Sequence, residues 1–375
     1  MNNAHFIRLV RFAASAFIGG VLLLSGYVSR GQSSKFNQPD NILITDQFNN
    51  RVIEIDPSGN IVWQFGLGPG NTTASSIIGT NDAERVGTLT LMSGTGIPAG
   101  EPASVTTHCK KGCADNRVLL VDQHGKIVWQ YGQFGATGFG PNQLNTPVQN
   151  TYLPQPDGDD HVLITDQGNE RIIEVRRSDH AIVWQYGTDG VTGIGPNLLS
   201  NPNSAELLSN RYNGDILISD ENNNQALEVT HTTPSTVVHT YTAAGGMAFS
   251  GVAFSSRLPN GHTLITDSNN NRIVETDETG ADFWHFFTTD PLQRPGSNPA
   301  PLPTRAVQLV GGNILISDQF NNQVIEVTHT MPAVIVATYG TINDPGFSPV
   351  SALSKMNGPY SAYVIGDYTG MTPPF

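Results

Sequence analysis

The sequence predicts an all-β fold: a six-bladed β-propeller of four-stranded antiparallel blades. Three observations predict it. A three-strand unit recurs along the chain, a fourth strand precedes most copies, and a stretch near the C-terminus matches the one strand that the first copy lacks. The unit is clearest at 41–66, NILITDQFNNRVIEIDPSGNIVWQFG. ILIT, RVIEI and NIVWQF carry the β-branched and aromatic residues that suit a pleated strand. DQFNN and DPSG carry the Asn, Asp, Pro and Gly that form tight turns.

The unit recurs at 161–187, 215–242, 262–288 and 313–340. The steps from Asp166 to Asp220, Asp267 and Asp318 are 54, 47 and 51 residues, whereas Asp46 to Asp166 is 120. That gap holds one more copy, NRVLLVDQHGKIVWQYG at 116–132. SVTTHC (104–109) is expected to stand for its preceding strand, with CKKGCAD as the turn, and six copies then result. The inner, fourth strand is visible as TPVQNTYL (146–153), NPNSAELL (201–208), GVAFSSRL (251–258) and PTRAVQL (303–309). Only QSSKFNQPD precedes the first copy, but GPYSAYVI (358–365) lines up with NPNSAELL. Circular closure follows: the C-terminal strand completes the first blade and leaves no open sheet edge between first and last.

Residues 1–31 stand apart from the 32–375 propeller. Arg8 and Arg11 precede an apolar run from Phe12 to Leu24, too short for a typical membrane span, and Ser29-x-Gly31 offers a cleavage site that leaves Gln32 first. This reads as a signal peptide, so the chain is expected to be secreted or periplasmic, with an uncleaved anchor as the alternative. Removing its three arginines and no acids takes the formal charge from −13 to about −16. So acidic a chain, without a basic run, repels nucleic acid and anionic membrane. In an oxidising compartment, Cys109 and Cys113 in CKKGC suit a local disulfide, with a two-Cys metal site as the rival.

The pattern D-x-x-N-N-R, an apolar strand, a D-x-x-G turn, a second apolar strand and then G-x-G-P-N-Q-L-x-x-P resembles NHL repeats. GFGPNQLNTP (138–147) and GIGPNLLSNP (193–202) are its best linker matches, and the resemblance spans nearly all of 40–366. It implies the propeller fold and leaves function open, because NHL-type propellers include binding scaffolds, lyases and hydrolases. LPNGHTLITD (258–267) also resembles repeats of bacterial arylsulfotransferase propellers, but the starts of the inner strands hold no His to carry a sulfuryl group.

Residues repeated in every blade read as blade parts. The recurring Asp (46, 166, 220, 267, 318), and Asn50, Asn116, Asn224, Asn271 and Asn322, are expected to hold turns. The Arg or Gln that follows would cross-link blades or line the upper rim. Trp63, Trp129, Trp184 and Trp284 would pack between blades. Glu54, Glu174, Glu228, Glu275 and Glu326 are expected on a solvated face. Function is therefore sought where the copies differ. The inner strands bring Val148-Gln149, Asn203-Ser204, Ala253-Phe254, Thr304-Arg305 and Tyr360-Ser361 to the axis. His108, Gln149, Asn203, Arg305 and Tyr360 are the candidate ligand-binding residues at the channel mouth, suited to a small polar or anionic ligand. The alternatives are a self-satisfied, water-filled channel, and a protein or peptide partner at the mouth. The long approach 67–103 would be a lid or a plain insertion. No cofactor is implied. Calcium or another divalent metal has one weak candidate in PDGDD (156–160), with Glu206, Asn150, Asn203 and His108 as scattered channel ligands.

Overall fold

The computed structural model describes residues 35–101 and 108–367. The expected signal peptide lies outside the described residues, as does 102–107. Six four-stranded antiparallel sheets form the blades of a six-bladed β-propeller. Blade 1 consists of Pro359–Val364, Ile42–Asp46, Arg51–Ile55 and Ile61–Phe65, from the axis outwards. Its inner strand pairs with the second in the register Ile42↔Val364, Leu43↔Tyr363 and Ile44↔Ala362, which is the expected closure. The inner strands of blades 3 to 6 are Pro147–Leu153, Pro202–Leu207, Val252–Arg257 and Pro303–Gln308.

Blade 2 departs from the expected reading. Its strands are Thr80–Val86, Leu89–Gly94, Arg117–Val121 and Ile127–Gly132. The approach 67–103 is therefore no plain insertion, because it supplies the first two strands of the blade. Leu89–Gly94 fills the second-strand position expected of 104–109, a segment of which 104–107 lie outside the described residues. The insertion follows that strand and carries a hairpin, Ile97–Ala99 against Lys111–Cys113. The missing repeat Asp explains the concealment. Gly94 stands where other blades have Asp, and a Cβ there would lie 2.5 Å from Cγ of Asp115. Asp115 brings its carboxyl back into that place from beyond the insertion.

The turn between second and third strands ties the ring together. In blades 1 and 3 to 6 it enters a short 3₁₀ turn after the Asp and leaves through a left-handed residue, such as Asn50 at φ 51° or Asn322 at φ 57°. Asn tolerates that conformation. The same side chain accepts a hydrogen bond from the start of the next blade. Asn50 accepts from Gly79 N–H (3.0 Å), Asn116 from Thr146 (2.9 Å), Asn224 from Gly251 (2.8 Å) and Asn322 from Gly358 (3.1 Å). Glu170 takes this place in blade 3 and accepts from Asn201 N–H at 2.5 Å. The Asn322–Gly358 bond closes the circle from blade 6 to blade 1.

The core lies in the seams between blades. One cluster joins Leu163, Ile172 and Trp184 of blade 3 to Ile216, Ile218 and Leu227 of blade 4. The outer-strand tryptophans bridge seams as expected. Trp63 Nε1–H donates to Gln123 O (3.0 Å), Trp129 to Arg177 O (3.1 Å), Trp184 to Thr232 O (3.2 Å) and Trp284 to Thr330 O (3.1 Å), each in the next blade. Because both faces of a blade are packed, four of the five recurring Glu residues are not solvated: Glu54, Glu174, Glu228 and Glu275 are buried, and Glu326 is half-buried. Glu54 pairs with Arg85 of blade 2 (2.7 Å), and Glu228 with Arg257 of blade 5 (2.5 Å). Glu174 takes His161 of its own blade and His231 of blade 4, at 2.5 and 2.6 Å. Glu275 takes His262 and His329 of blade 6 in the same way.

Candidate functional site

The second and third residues of all six inner strands line one space on the axis, about 200 Å³ of empty volume with open solvent included. Five of the pairs are those expected. The sixth, Asn81-Asp82, belongs to the hidden strand of blade 2. Its available signal was the apolar alternation of LTLMS (89–93) directly after it. Because corresponding residues meet there, all six inner strands start at the same end of the propeller, here the upper end. The linkers between blades and the turns between second and third strands lie at that end.

Gln149, Asn203, Arg305 and Tyr360 come together in this lining; His108 does not belong to it. His108 is exposed, beside Gly70 of the linker before blade 2. The neighbouring Cys109 and Cys113 form a disulfide, with Cα atoms 5.3 Å apart. Cys109 and Ile97 pack on Ile78 and on Phe48, in the turn of blade 1, and Phe48 stacks on Phe320 of blade 6 at 6.2 Å. The insertion thus roofs one side of the mouth. Beneath it Gln319 Nε2 donates to Gln47 (2.7 Å), and Gln47 Nε2 to Asn81 (2.8 Å).

The polar ring is largely engaged with itself. Tyr360 of blade 1 and Asn203 of blade 4 bond across the axis, Asn203 Nδ2 donating to Tyr360 Oη at 2.9 Å. Asn203 also donates to Glu221 at 2.8 Å. Arg305 was expected to offer a cation to an anionic ligand. Instead it reaches Asp82, on a blade that is not its neighbour, and lies over the Phe254 ring at 4.6 Å.

Physically, an inner strand pairs on one side only, so its other edge leaves buried backbone N–H groups that need acceptors. Side chains of the preceding blade supply them. Asp82 accepts from Asn150 N–H (3.1 Å), Gln149 from Ala205 (2.7 Å) and Glu206 from Arg257 (3.0 Å). Glu84 accepts likewise from Tyr152 N–H. Burial pushes Glu206 up to about 8, against the pull of Arg257 and Arg305, and drives Glu84 well above the usual carboxylate range. The Tyr360 phenol is also raised, chiefly by burial. Among the described residues no group of three or more His, Cys, Asp or Glu side chains could hold a metal ion. In PDGDD, Asp160 instead accepts from Tyr152 Oη–H and Gln155 N–H at 2.5 and 3.0 Å.

The repeat Asp holds the upper end of its own blade. Asp166 accepts from Arg171 Nε (2.8 Å), Asn169 Nδ2 (2.7 Å) and Asn145 N–H (2.8 Å) at the end of the incoming linker. Asp46, Asp220 and Asp267 do the same through Arg51, Gln225 and Arg272. These Arg and Gln residues are buried and hold their own blade, and the arginines also reach the linkers that join blades: Arg51 donates to Ser348 O (2.8 Å), and Arg171 to Gln143 O (3.3 Å) and Asp189 (3.0 Å). Blade 6 has Gln323 at the Arg position, and Arg294 arrives from the linker to reach Asp318 at 2.5 Å.

Four successive linkers, 340–358, 66–79, 133–146 and 188–201, carry exposed apolar side chains above these clamps: Phe347, Leu67, Phe134, Phe139, Val191 and Ile194. Backbone carbonyls next to them anchor the loops to the upper turns. Asn169 Nδ2 donates to Gly138 O (2.8 Å), Asn223 to Gly193 O (2.7 Å) and Asn49 to Gly346 O (2.8 Å). The other two linkers fold down, as does the later part of 340–358, where Ala352 N–H reaches Gly59 O at 3.0 Å in the lower turn of blade 1. Gly245 N–H reaches Gly280 O at 2.9 Å, and Gln293 reaches Ala333 O at 2.8 Å, both in lower turns.

No protein-family model matches the sequence, and none of the curated proteins compared with it does. Among solved structures, the fold is similar to a protein of unknown function from Bacteroides caccae, at TM-score 0.50 and 13% identity over 84% of this chain and 97% of that one. Virginiamycin B lyase from Staphylococcus aureus aligns at 0.48 and 14%, over 80% and 85%. A chain of the nidogen/laminin complex aligns at 0.46 and 11%, over 80% and 92%. These neighbours are β-propellers that include both an enzyme and binding proteins, and identities this low concern the fold alone.

Proposed function

We propose that this chain is an exported, NHL-type β-propeller that acts as a binding scaffold through its upper loops and channel mouth. Export rests on the N-terminal sequence pattern, and the NHL assignment on the repeat motifs. One observation carries the scaffold reading: the channel's polar side chains satisfy one another and the inner-strand edges, whereas the upper linkers leave large apolar side chains exposed. A protein or peptide partner suits that surface better than the small anionic ligand expected from Arg305, since Asp82 already neutralises that guanidinium. Comparing variants tests the reading. In pull-downs from the extracytoplasmic fraction of the producing cells, Phe139→Asp with Ile194→Asp should lose the captured partner, and Arg305→Ala should keep it. The opposite pattern would move the site into the channel.

A second reading, a propeller enzyme with a small polar channel site (a lyase, hydrolase or sulfuryl transferase), has one observation in its favour. Glu206, held protonated at neutral pH, lies close enough to the Arg305 charge to feel it. A carboxyl acid near a guanidinium is a usable pair for proton transfer beside an anion. Turnover lost in Glu206→Gln would support it.

A further inference from the structure

The residue after each clamp Asp opens an upper turn at the channel mouth. It is Gln47, Gln167, Glu221, Ser268 and Gln319 in blades 1, 3, 4, 5 and 6, so among these copies only blade 4 places a charge there. The described part of the insertion packs on blades 1, 2 and 6. Glu221 stands on blade 4, half-buried. Its two oxygens are used unequally. Oε2 accepts from the carboxamides of Asn203 (2.8 Å), Asn201 (3.1 Å) and Gln167 (3.4 Å). Oε1 accepts from no described residue, and among the described residues Glu221 forms no ion pair. Gln167 Oε1 and Asn201 Oδ1 likewise accept from no described residue. Burial pushes the Glu221 carboxyl up, against the hydrogen bonds from Asn203 and Asn201. The carboxylate is held in place, because Asn203 is buried and also bonds Tyr360 across the axis.

This side of the mouth therefore offers oxygen acceptors and a negative charge without a cation. Its geometry discriminates between cations. A guanidinium that binds a carboxylate by two parallel N–H bonds needs both oxygens, and Oε2 is already taken. A primary ammonium carries three donors on one atom and no acceptor, so one carboxylate oxygen and nearby amide oxygens suit it. The flexible four-carbon stem of lysine carries that group to a recessed acceptor.

The adjoining surface indicates where such a side chain comes from. The upper linkers with exposed apolar side chains form an arc that ends at blade 4. Its last linker, 188–201, presents Val191 and Ile194 and ends in Asn201. Asn223, in the same turn as Glu221, donates to Gly193 O of that linker at 2.7 Å. A polypeptide lying on the arc thus passes beside Glu221. The formal charge of −13 favours the approach of basic segments.

We propose that Glu221 is the anchor for a lysine side chain of a polypeptide partner, whose ammonium enters the mouth beside blade 4 and binds Oε1. The inference rests on the reading of the upper loops and mouth as a binding surface, and it names the group that the partner brings.

The experiment titrates the mature chain with Nα-acetyl-lysine amide and follows the side-chain NH2 resonances of Asn201, Asn203 and Gln167 by NMR. Nα-acetyl-norleucine amide, which lacks the charge, and Nα-acetyl-arginine amide are the comparisons. The lysine amide should shift these resonances saturably, with a dissociation constant at least about tenfold lower than that of the norleucine amide. It should bind more tightly than the arginine amide, and less tightly at about 500 than at about 20 mM NaCl. Glu221→Gln keeps an oxygen for the three amides and removes the charge, so the preference for lysine should vanish. Glu221→Ser, with the residue of blade 5, should do the same if the first variant does not fold. Glu278→Gln, on an exposed lower turn, should bind like wild type. Equal binding of the lysine and norleucine amides overturns the proposal. So does tighter binding of the arginine amide, or lysine binding that survives both Glu221 variants. Lysine binding by a chain that captures no protein partner assigns the mouth to a small free amine and overturns the polypeptide source. Partner capture through Phe139 and Ile194 without lysine binding removes the anchor and leaves the scaffold reading standing.

Discussion

The upper end of each blade and the seam beside it both use buried carboxylates, in different ways. At the upper end one arrangement recurs. An Asp at the end of the second strand takes an Arg or Gln five residues on, an Asn three residues on, and the incoming linker. The seams vary: Glu meets Arg in two of them and a pair of His in two others. The upper clamp is local, built within one strand–turn–strand, so blades 1, 3, 4 and 5 repeat it, while blade 2 substitutes Asp115 and blade 6 Arg294. A seam needs residues from two blades, and each pair of blades completes it separately. A constant clamp holds linkers whose outer residues are then free to differ, which is where the exposed arc arises.

The largest expected effect concerns the seam between last and first blades. Deleting residues 355–375 removes the inner strand of blade 1 and opens two sheet edges, so cooperative thermal melting should be lost. A truncated chain that melts like the full one would break the closure. Asp166→Ala comes next. It leaves the Arg171 guanidinium, 1% exposed, without its buried partner, and should cost about 3–5 kcal/mol in denaturant unfolding. Asp267→Ala should cost a similar amount if the upper clamps are equivalent.

A seam carboxylate should matter less, and in a pH-dependent way. Burial acts to raise Glu275, but hydrogen bonds from His329, Asn260 and His262 more than offset it and hold the group at about 2. A depressed carboxyl stabilises the fold above its unfolded value near 4.5, and that contribution is lost as pH falls toward 2. Glu275→Gln should therefore cost about 1.5–3 kcal/mol at neutral pH, and the gap from wild type should close below about pH 3.

Glu206 has the opposite sign. Its raised value means that the fold is favoured while the proton is held, and loses stability as pH climbs from about 4.5 through about 8. Glu206→Gln keeps an acceptor for Arg257 N–H and cannot ionise. It should melt like wild type at pH 5 and higher than wild type at pH 9; equal melting at both would contradict a buried, protonated acid. The smallest change is Trp184→Phe, which removes the Nε1–H bond to Thr232 and leaves most of the seam packing. It should cost about 1 kcal/mol.

The sequence by itself determined the number of blades, the closing strand, the seam tryptophans and the turn asparagines. Each rests on a short segment whose period and turn chemistry recur, so the copies vouch for one another. Tertiary structure alone decided three things. It placed Asp115 where Gly94 leaves room, a substitution that no local pattern announces because the insertion separates the two. It buried the recurring Glu residues, since alternation along a strand distinguishes two faces but cannot say that both are covered. And it tied Arg305 to Asp82, 223 residues away on a non-adjacent blade, because only the closed ring brings inner strands that are not neighbours within reach of a side chain.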